Sequence, residues 1–374
     1  MRTTTLNTLA CTAMLAAIPF TSSCAPETTE ASLSREQVEN IVRRSYQYVA
    51  MFNVNQKFAL DTSSGGMAMG GFNRPAALTA LADHNMRSIA RPNNDTFYQG
   101  AVLDLRHDPV IIEFPIINSK FVALETSSYA HYVEVPLATS EGDFKQPLTV
   151  LFYTDRTEGY QGEPIEGVDR IINADGDFLV AFLRAMPHQA DPARMAGIIQ
   201  ALQNVKVVTL SVFQGNPAKD SSDAKFPAYG KTDGDVFANN LLEVMQFVFN
   251  HTTFDPNDAM DQAVLAAYQP LGVEPGKAFD AAKVAKIDGA LFREVANEVA
   301  QEVLDNQADL EMQARVLPQA FLPKGQIGLE AQVAQSVLGP IGLPAYQARY
   351  IPVATKDGKP MNAQQDYVMR MSKD

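Results

Sequence analysis

The sequence of 374 residues contains no tryptophan and only two cysteines, Cys11 and Cys24. The lack of tryptophan removes the commonest platform for stacking a sugar ring, so any such role falls to its 12 tyrosines and 20 phenylalanines. Basic residues are also scarce, because 30 lysines and arginines stand against 43 aspartates and glutamates, for a net charge of -13. A surface of this sign repels phosphate backbones, and the composition therefore argues against nucleic-acid binding.

Sequence motifs for zinc, for nucleotides and for a nucleophilic serine are missing as well. The histidines form no HxH, HxxxH or HExxH pair, and catalytic zinc prefers histidine-rich ligand sets, so we predict neither a metal nor a cofactor. The glycine-rich stretch Thr62–Asn73 lacks the Gly-Lys-Ser/Thr ending of a phosphate-binding loop, which leaves a mobile lid or a plain loop as its role. No Gly-x-Ser-x-Gly elbow occurs.

An apolar run near the N-terminus has the length of a signal peptide. Leu9–Phe20 is too short to cross a bilayer, and it is followed by small residues that precede Cys24. This arrangement resembles a lipoprotein cleavage box, which predicts a signal peptide over residues 1–24 and lipidation of Cys24. The alternative is an ordinary cleavage site near Ser23. Residues 25–33 would form a polar tether, and we expect a lipid-anchored, periplasm-facing protein of the bacterial envelope, in the outer membrane.

The next part of the chain changes from a helical to a strand period. Ser34-Arg35-Glu36-Gln37 has the form of a capping box and predicts the start of a helix. Short strand patterns, punctuated by Gly, Pro, Asp and Asn, then run from Phe97 to Leu183. Many short strands without helices between them indicate an antiparallel, jelly-roll-like β-sandwich, which we assign to residues 34–190.

Helical patterns follow the predicted sandwich. Asp191-Pro192 supplies an aspartate cap with proline at the first helical position, and the helical period continues through a region that we bound at residues 191–316. Two further strand patterns, Ala348–Val353 and Asp366–Met371, predict an incomplete second β domain over residues 317–374. The expected fold class is therefore α+β.

The three small polar residues Asn93-Asn94-Asp95 precede the first long strand pattern and are candidates for either a structural or a functional role. Asn and Asp bond the downstream backbone and tolerate left-handed conformations, so a structural Asx turn explains this run. The functional alternative places the side chains at the mouth of the sandwich. In that case Asp95 and Tyr98 are the candidate catalytic residues, and the candidate binding residues are Asn93, Asn94 and Thr96.

A second polar group follows a later strand pattern. Glu125, Ser127, Tyr129 and His131 alternate, so one straight strand would present them on a single face. That face could simply be the solvated side of the sheet. The alternative is an acid–base cluster with His131 as the catalytic group, because imidazole titrates near neutral pH, and with the other three as binding residues.

The stretch Arg91–Asp104, with Pro109 and Pro115 after it, resembles the N-terminal motif of proteins that carry the paired domains of unknown function 1254 and 1214. The resemblance returns around Asp357–Asn362, as at the start of the second domain. It implies two jelly-roll-like sandwiches with helices between them. The activity of the family is not established, so the resemblance supplies no catalytic residues. It also implies that the second domain is truncated at Asp374.

Two functions from different classes remain open. The first is an envelope enzyme, a hydrolase or lyase acting on a small molecule or a glycan. The second is a non-catalytic binding or assembly lipoprotein that touches the membrane only through its lipid. An incomplete sandwich exposes a strand edge, so we expect residues 345–374 to self-associate or to bind a partner chain that completes the sheet. A frayed or repacked tail is the alternative.

Overall fold

The computed structural model describes residues 33–61, 69–83, 85, 93–135, 137–349, 355–356, 359, 361–362 and 364–370. The predicted signal peptide, Cys24 and almost all of the tether lie outside the described residues, as do Arg91 and Pro92 of the resemblance motif. The fold is α+β, as the sequence predicted. Among the residues described, none of the helices combines the length and the apolar character that crossing a bilayer requires.

The elements follow one another along the chain as helices at both ends and strands in the middle. The strands are β1 (Ala76–Leu78), β2 (Phe97–Asp104), β3 (Val110–Phe114), β4 (Val122–Ser127), β5 (Leu137–Ala138), β6 (Leu148–Tyr153), β7 (Arg170–Asn173), β8 (Phe178–Ala185) and β9 (Lys206–Thr209). The α-helices are α1 (Arg35–Leu60), α2 (Pro192–Gln203), α3 (Leu210–Phe213), α4 (Asp233–Asn239), α5 (Leu241–Asn250), α6 (Ala259–Tyr268), α7 (Gly289–Asp305), α8 (Leu310–Val316) and α9 (Leu329–Leu338). Short 3-10 helices lie at Thr139–Glu141, Gln269–Leu271, Asn306–Ala308 and Leu317–Gln319.

The strands form two sheets that face each other. The first sheet has the order β1-β2-β8-β4-β5 and is antiparallel throughout. The second has the order β7-β6-β3-β9, in which only the β6–β7 pair is parallel. Strand β9 lies in the region that the sequence predicted to be helical. Its apolar residue Val207 packs in the core between the sheets, which favours a strand there.

Helix α1 begins at the predicted capping box. The Ser34 hydroxyl accepts from the Gln37 backbone N–H at 3.2 Å, and the Gln37 side chain accepts from the Ser34 N–H at 2.8 Å. Buried residues occur all around this helix, which packs against α4, α5, α6, α7 and α9 and against one face of the first sheet. Although the predicted sandwich boundary began at residue 34, α1 shares its core with the helices.

The region after residue 317 contains helix α9 and, among the described residues, no strand. Its buried residues Ala331 and Ala334 recur at helical spacing, and α9 packs on α1 and α7. The predicted strand over 366–371 is absent from the described residues 366–370. The predicted strand over 348–353 is absent at 348–349, and its other residues lie outside the described part. The predicted domain boundaries stay predictions.

Candidate functional site

The polar run before β2 forms a turn that the backbone and one phenol hold in place. The Asp95 backbone N–H donates to the Asn93 side-chain oxygen at 2.9 Å, which confirms the Asx-turn interpretation. The Tyr98 hydroxyl accepts from the Asn93 N–H at 2.8 Å and donates to the Asn93 carbonyl at 3.2 Å. Asn94 and Asp95 are exposed, whereas Thr96 and Tyr98 are buried.

The strand register places a buried arginine between Tyr98 and a buried glutamate. Arg184 on β8 pairs with Tyr98 on β2 and with Ala123 on β4, and Glu125 is two residues further along β4 on the same face. The Arg184 guanidinium carbon lies 6.0 Å from the centre of the Tyr98 ring. Tyr98 and Arg184 are each 6% exposed and Glu125 is 1% exposed. We call Tyr98, Glu125 and Arg184 the Arg184 site.

The Glu125 carboxyl has an unusual proton affinity in this setting. Burial raises its pKa to about 8, while the Arg184 charge and the Gly342 backbone N–H act in the opposite direction. Its Oε1 atom is buried and has no hydrogen-bond partner among the described residues. Burial of this kind favours the neutral acid, so Glu125 is predominantly protonated at neutral pH and can donate a proton. The same burial raises the pKa of Tyr98, which Arg184 partly offsets.

His131 does not join this site, contrary to the acid–base role that the sequence suggested for it. Strand β4 ends at Ser127, and the chain then turns, with the His131 N–H donating to the Ser128 carbonyl at 3.1 Å. The ring nitrogens of His131 lie 2.8 Å from Ser336 Oγ and 2.8 Å from the Pro340 carbonyl. Burial lowers the pKa of His131 to about 4. The ring is therefore neutral and engaged on both nitrogens.

Ser127 and Tyr129 also have internal partners. The Ser127 hydroxyl donates to the Tyr132 carbonyl at 2.9 Å. The Tyr129 hydroxyl accepts from the Gln56 side chain at 3.1 Å, and its buried ring contacts Phe52. The single strand face predicted from their alternation was wrong beyond Ser127, since the turn at Tyr129–Ala130 breaks the period. The Ser127 side chain therefore connects the end of β4 to the following loop, and the Tyr129 side chain contacts α1.

Two parts of the site were not predicted from the sequence. One is Arg184, although a lone charge in the otherwise apolar strand FLVAFLRA is a signal that could have identified it. The other is residues Gly339–Leu343, which we call the closing segment because they cover Glu125 and Arg184. Arg184 Nη2 donates to the Ile341 carbonyl at 2.9 Å. The Leu343 side chain packs in a small apolar cluster with Ala123 and Ala138.

A separate ionic cluster surrounds Asp177. Its carboxylate accepts from Thr154 Oγ1 at 3.1 Å and from Arg156 Nε at 2.8 Å, and it lies 2.8 Å from His251 Nδ1. Burial alone would raise the pKa of Asp177, but His251 and Arg156 outweigh it and lower the pKa. The cluster connects the start of β8 to the end of α5.

A further cluster links Ser128, Glu134 and Asp175 to two residues of the helical part. Ser128 Oγ donates to Asp175 Oδ1 at 2.5 Å, and Lys324 Nζ donates to Asp261 at 2.9 Å and lies 3.4 Å from Asp175. Burial, and after it the Asp175 charge, raise the pKa of Glu134 well above its ordinary value. Within the described ranges no group of three or more His, Cys, Asp or Glu side chains is arranged to hold a metal.

The molecule is thus an α+β protein in which a buried cation lies between a phenol and a buried acid on one face of a sheet. Residues 72–208, which contain the turn, Tyr98, Glu125 and Arg184, match the family model described as protein of unknown function DUF1254. This match confirms the first part of the resemblance that the sequence suggested. No curated protein matches the chain.

Among solved structures, the crystal structure of the VPA0106 protein from Vibrio parahaemolyticus is similar, with a TM-score of 0.59 and 17% sequence identity over 83% of this chain and 68% of that one. An uncharacterized protein from Burkholderia cenocepacia matches with a TM-score of 0.23 and 13% identity, over 45% of this chain and 53% of that one. The first similarity shows a shared fold. Neither identifies a ligand or a reaction.

Proposed function

We propose that the chain is a lipid-anchored protein of the bacterial cell envelope whose Arg184 site carries out acid–base chemistry, as a hydrolase or a lyase, on a small molecule or a glycan. The observation that carries this proposal is Glu125, a buried carboxyl whose pKa is raised to about 8. Strongly perturbed acids beside a charge partner concentrate at functional sites. Carboxyls kept protonated near neutral pH are a recurring form of general acid.

Each residue of the site has a chemical role in this proposal. Protonated Glu125 donates a proton to the leaving group. The Arg184 guanidinium, which is always charged, stabilises the negative charge that develops on the reacting oxygen. Tyr98 is a positioning residue, because its hydroxyl holds the Asn93 backbone and so fixes the exposed Asn94 and Asp95 at the edge of the site.

The test is a screen of residues 25–374 against ester, amide and glycoside libraries, with two matched substitutions. Glu125→Gln removes the acid at constant shape and is expected to lower kcat by a factor of about 100 or more. Glu113→Gln makes the same chemical change on β3, where Glu113 faces Lys206 at 3.2 Å, and is expected to leave kcat unchanged. Activity should also decline above about pH 8. A Glu125→Gln variant as active as the parent, or no turnover in any library, contradicts the proposal.

Membrane attachment rests on the sequence pattern before Cys24. We expect the Cys24→Ser variant to move from the membrane fraction to the soluble fraction of the envelope, because the thioether-linked lipid would be its only anchor. A variant that remains in the membrane fraction contradicts this part of the proposal and has no bearing on the acid–base part.

A second candidate is the non-catalytic assembly function, which exposed apolar side chains favour. Tyr346 is 60% exposed, Met361 47%, Val368 85% and Met369 58%. We propose that residues 345–374, which resemble the start of a domain of unknown function 1214, bind a second copy or a partner chain. Light scattering and a pull-down from the native envelope test it. A monomer at micromolar concentration with no co-purifying chain contradicts it.

A further inference from the structure

Arg184 and Glu125 bind the two polar ends of one peptide bond in the closing segment. The carbonyl of Ile341 accepts from Arg184 Nη2 at 2.9 Å. The N–H of the next residue, Gly342, donates to the Glu125 carboxyl. These two polar atoms belong to the same amide. The site therefore supplies a donor for an amide oxygen and an acceptor for an amide hydrogen, at the spacing of a single secondary amide.

The contacts continue along the chain on both sides of that amide. The preceding carbonyl, that of Pro340, lies 2.8 Å from His131 Nε2. The following side chain, Leu343, is 1% exposed and fills the apolar cluster with Ala123 and Ala138. Contacts thus extend over the four consecutive residues 340–343. Polar side chains contact their backbone groups, and a small apolar pocket holds one apolar side chain.

Side-chain contacts, and not hydrogen bonds of a helix or strand, hold the closing segment over Glu125 and Arg184. It follows the last residue of α9, and none of its residues belongs to a helix or a strand. It also leaves the site incompletely satisfied, because Glu125 Oε1 is buried without a hydrogen-bond partner among the described residues. Unsatisfied buried polar atoms are rare in native structures and costly, so an occupant with one more polar group opposite this atom would fit the site better.

We propose that the Arg184 site is a recognition site for an extended peptide, and that the closing segment occupies it in cis. The external ligand supplies a secondary amide to Arg184 and Glu125, a preceding carbonyl to His131, which lies next to the site, and a following apolar side chain to the Ala123–Ala138 pocket. The inference rests on the proposed function in taking the Arg184 site as the place where ligand binds, and it adds the ligand class and an internal competitor.

Glycine positions in the closing segment provide a variant and a matched control. A Cβ on Gly342 would overlap the ring of Phe321, so Gly342→Ala is expected to push the segment out while leaving Glu125 and Arg184 intact. A Cβ on Gly339 would meet no heavy atom within 4 Å, and its φ of 173° suits any residue, so Gly339→Ala should leave the segment in place.

The probe is a fluorescently labelled peptide with the sequence of Leu338–Tyr346, LGPIGLPAY, titrated with residues 25–374 and followed by anisotropy. Because the wild-type site is filled, its apparent affinity is reduced by the small fraction of open molecules. We expect Gly342→Ala to bind the peptide at least tenfold more tightly than the wild type or Gly339→Ala. Adding Arg184→Met to Gly342→Ala should weaken binding at least tenfold.

A second variant covers the possibility that Phe321 shifts instead of the segment. Leu343→Asp places a charge against Ala123 and Ala138 and should also release the segment, which hydrogen exchange at residues 339, 341, 342 and 343 reports. Release in either variant without tighter peptide binding overturns the proposal. A segment that stays protected in both variants overturns it too, because the occupant is then a fixed part of the fold.

The outcomes also separate this inference from the proposed function. Peptide binding that depends on Arg184, without any turnover that depends on Glu125, supports peptide recognition and contradicts the acid–base activity. Turnover that depends on Glu125, with no peptide binding in released variants, contradicts peptide recognition alone.

Discussion

The two faces of the first sheet are built from the same strands, and only one of them carries buried ionisable groups among its apolar residues. Toward the second sheet, β4 and β8 present Leu124, Leu179 and Leu183, which are all buried in an apolar core. Toward the helices, the alternate positions carry Glu125 and Arg184 next to apolar residues of β8 that pack with the helices. An apolar face stabilises the fold simply by leaving water, whereas buried charges destabilise it unless they are paired. The comparison indicates that both faces maintain the fold and that the face toward the helices also carries the site.

The largest expected effect is a pH dependence of the free energy of unfolding, which comes from Glu125 on the helix-facing side of the sheet. The pKa of Glu125 is about 8 in the folded chain against an ordinary value of 4.5, so between these pH values the folded state keeps a proton that the unfolded state has lost. Stability therefore falls as pH rises through this window, by on the order of 4 kcal/mol from this group. Urea unfolding from pH 5 to 8 measures the slope.

Glu125→Gln is the decisive comparison for that slope, because glutamine has the shape of the protonated acid and does not titrate. We expect its free energy of unfolding to fall much less over the same range. Glu113→Gln, which changes a partly exposed carboxylate on the second sheet, should keep the wild-type slope. Equal slopes in the wild type and Glu125→Gln would show that Glu125 is ionised in the folded chain.

On the face toward the second sheet, shortening a buried apolar side chain should destabilise the chain to the same extent at every pH. Leu183 is 0% exposed in the apolar core, so Leu183→Ala leaves a cavity and is expected to destabilise the chain by about 3 kcal/mol. Ile116→Ala, at a side chain that is 51% exposed, should change stability by less than about 0.5 kcal/mol. If Leu183→Ala altered the pH slope as strongly as Glu125→Gln, the two faces would not be energetically distinct.

His131 should produce a pH dependence of the opposite sign. Its pKa is about 4 in the folded chain against 6.5 ordinarily, so the folded state resists a proton that the unfolded state accepts. This contribution to stability is present above pH 6.5 and is lost as pH falls toward 4, by roughly 2–3 kcal/mol. In the Glu125→Gln background, His131→Asn should flatten the acid side of the profile, since asparagine tolerates the φ of 62° at this position.

The sequence predicted those parts of the fold that depend on local pattern. The capping box at Ser34, the proline-led start of α2 and the strands β2, β3 and β8 all carry periodic or capping signals that act over a few residues. The packing of α1 with helices two hundred residues away, and the pairing of β9 with β3, depend on contacts far apart in the chain. A local pattern contains no information about such partners.

The site was predicted only in part, for related reasons. Tyr98 was identified from the polar run before β2 and Glu125 from strand alternation, and both lie on the same face of the sheet as Arg184, because their strands flank β8. His131 was misplaced because β4 ends at Ser127 and the turn at Tyr129–Ala130 breaks the alternation before His131, and no local signal marks that turn. The closing segment was missed because its role comes from two side chains more than a hundred residues earlier.

The smallest expected effects lie in the turn before β2, where they distinguish a structural residue from an exposed one. Asn93→Ala removes the side-chain oxygen that accepts from the Asp95 N–H, and it should destabilise the chain by about 1 kcal/mol, the usual contribution of one hydrogen bond. The Tyr98 bonds to the Asn93 backbone remain, which limits the loss.

Asp95→Ala removes an exposed carboxylate and should change stability by less than about 0.5 kcal/mol. Urea unfolding of both variants at pH 6 provides the comparison. A loss of about 2 kcal/mol or more in Asp95→Ala would mean that its carboxylate holds the turn. A loss of substrate turnover in Asp95→Ala, at unchanged stability, would instead add Asp95 to the Arg184 site.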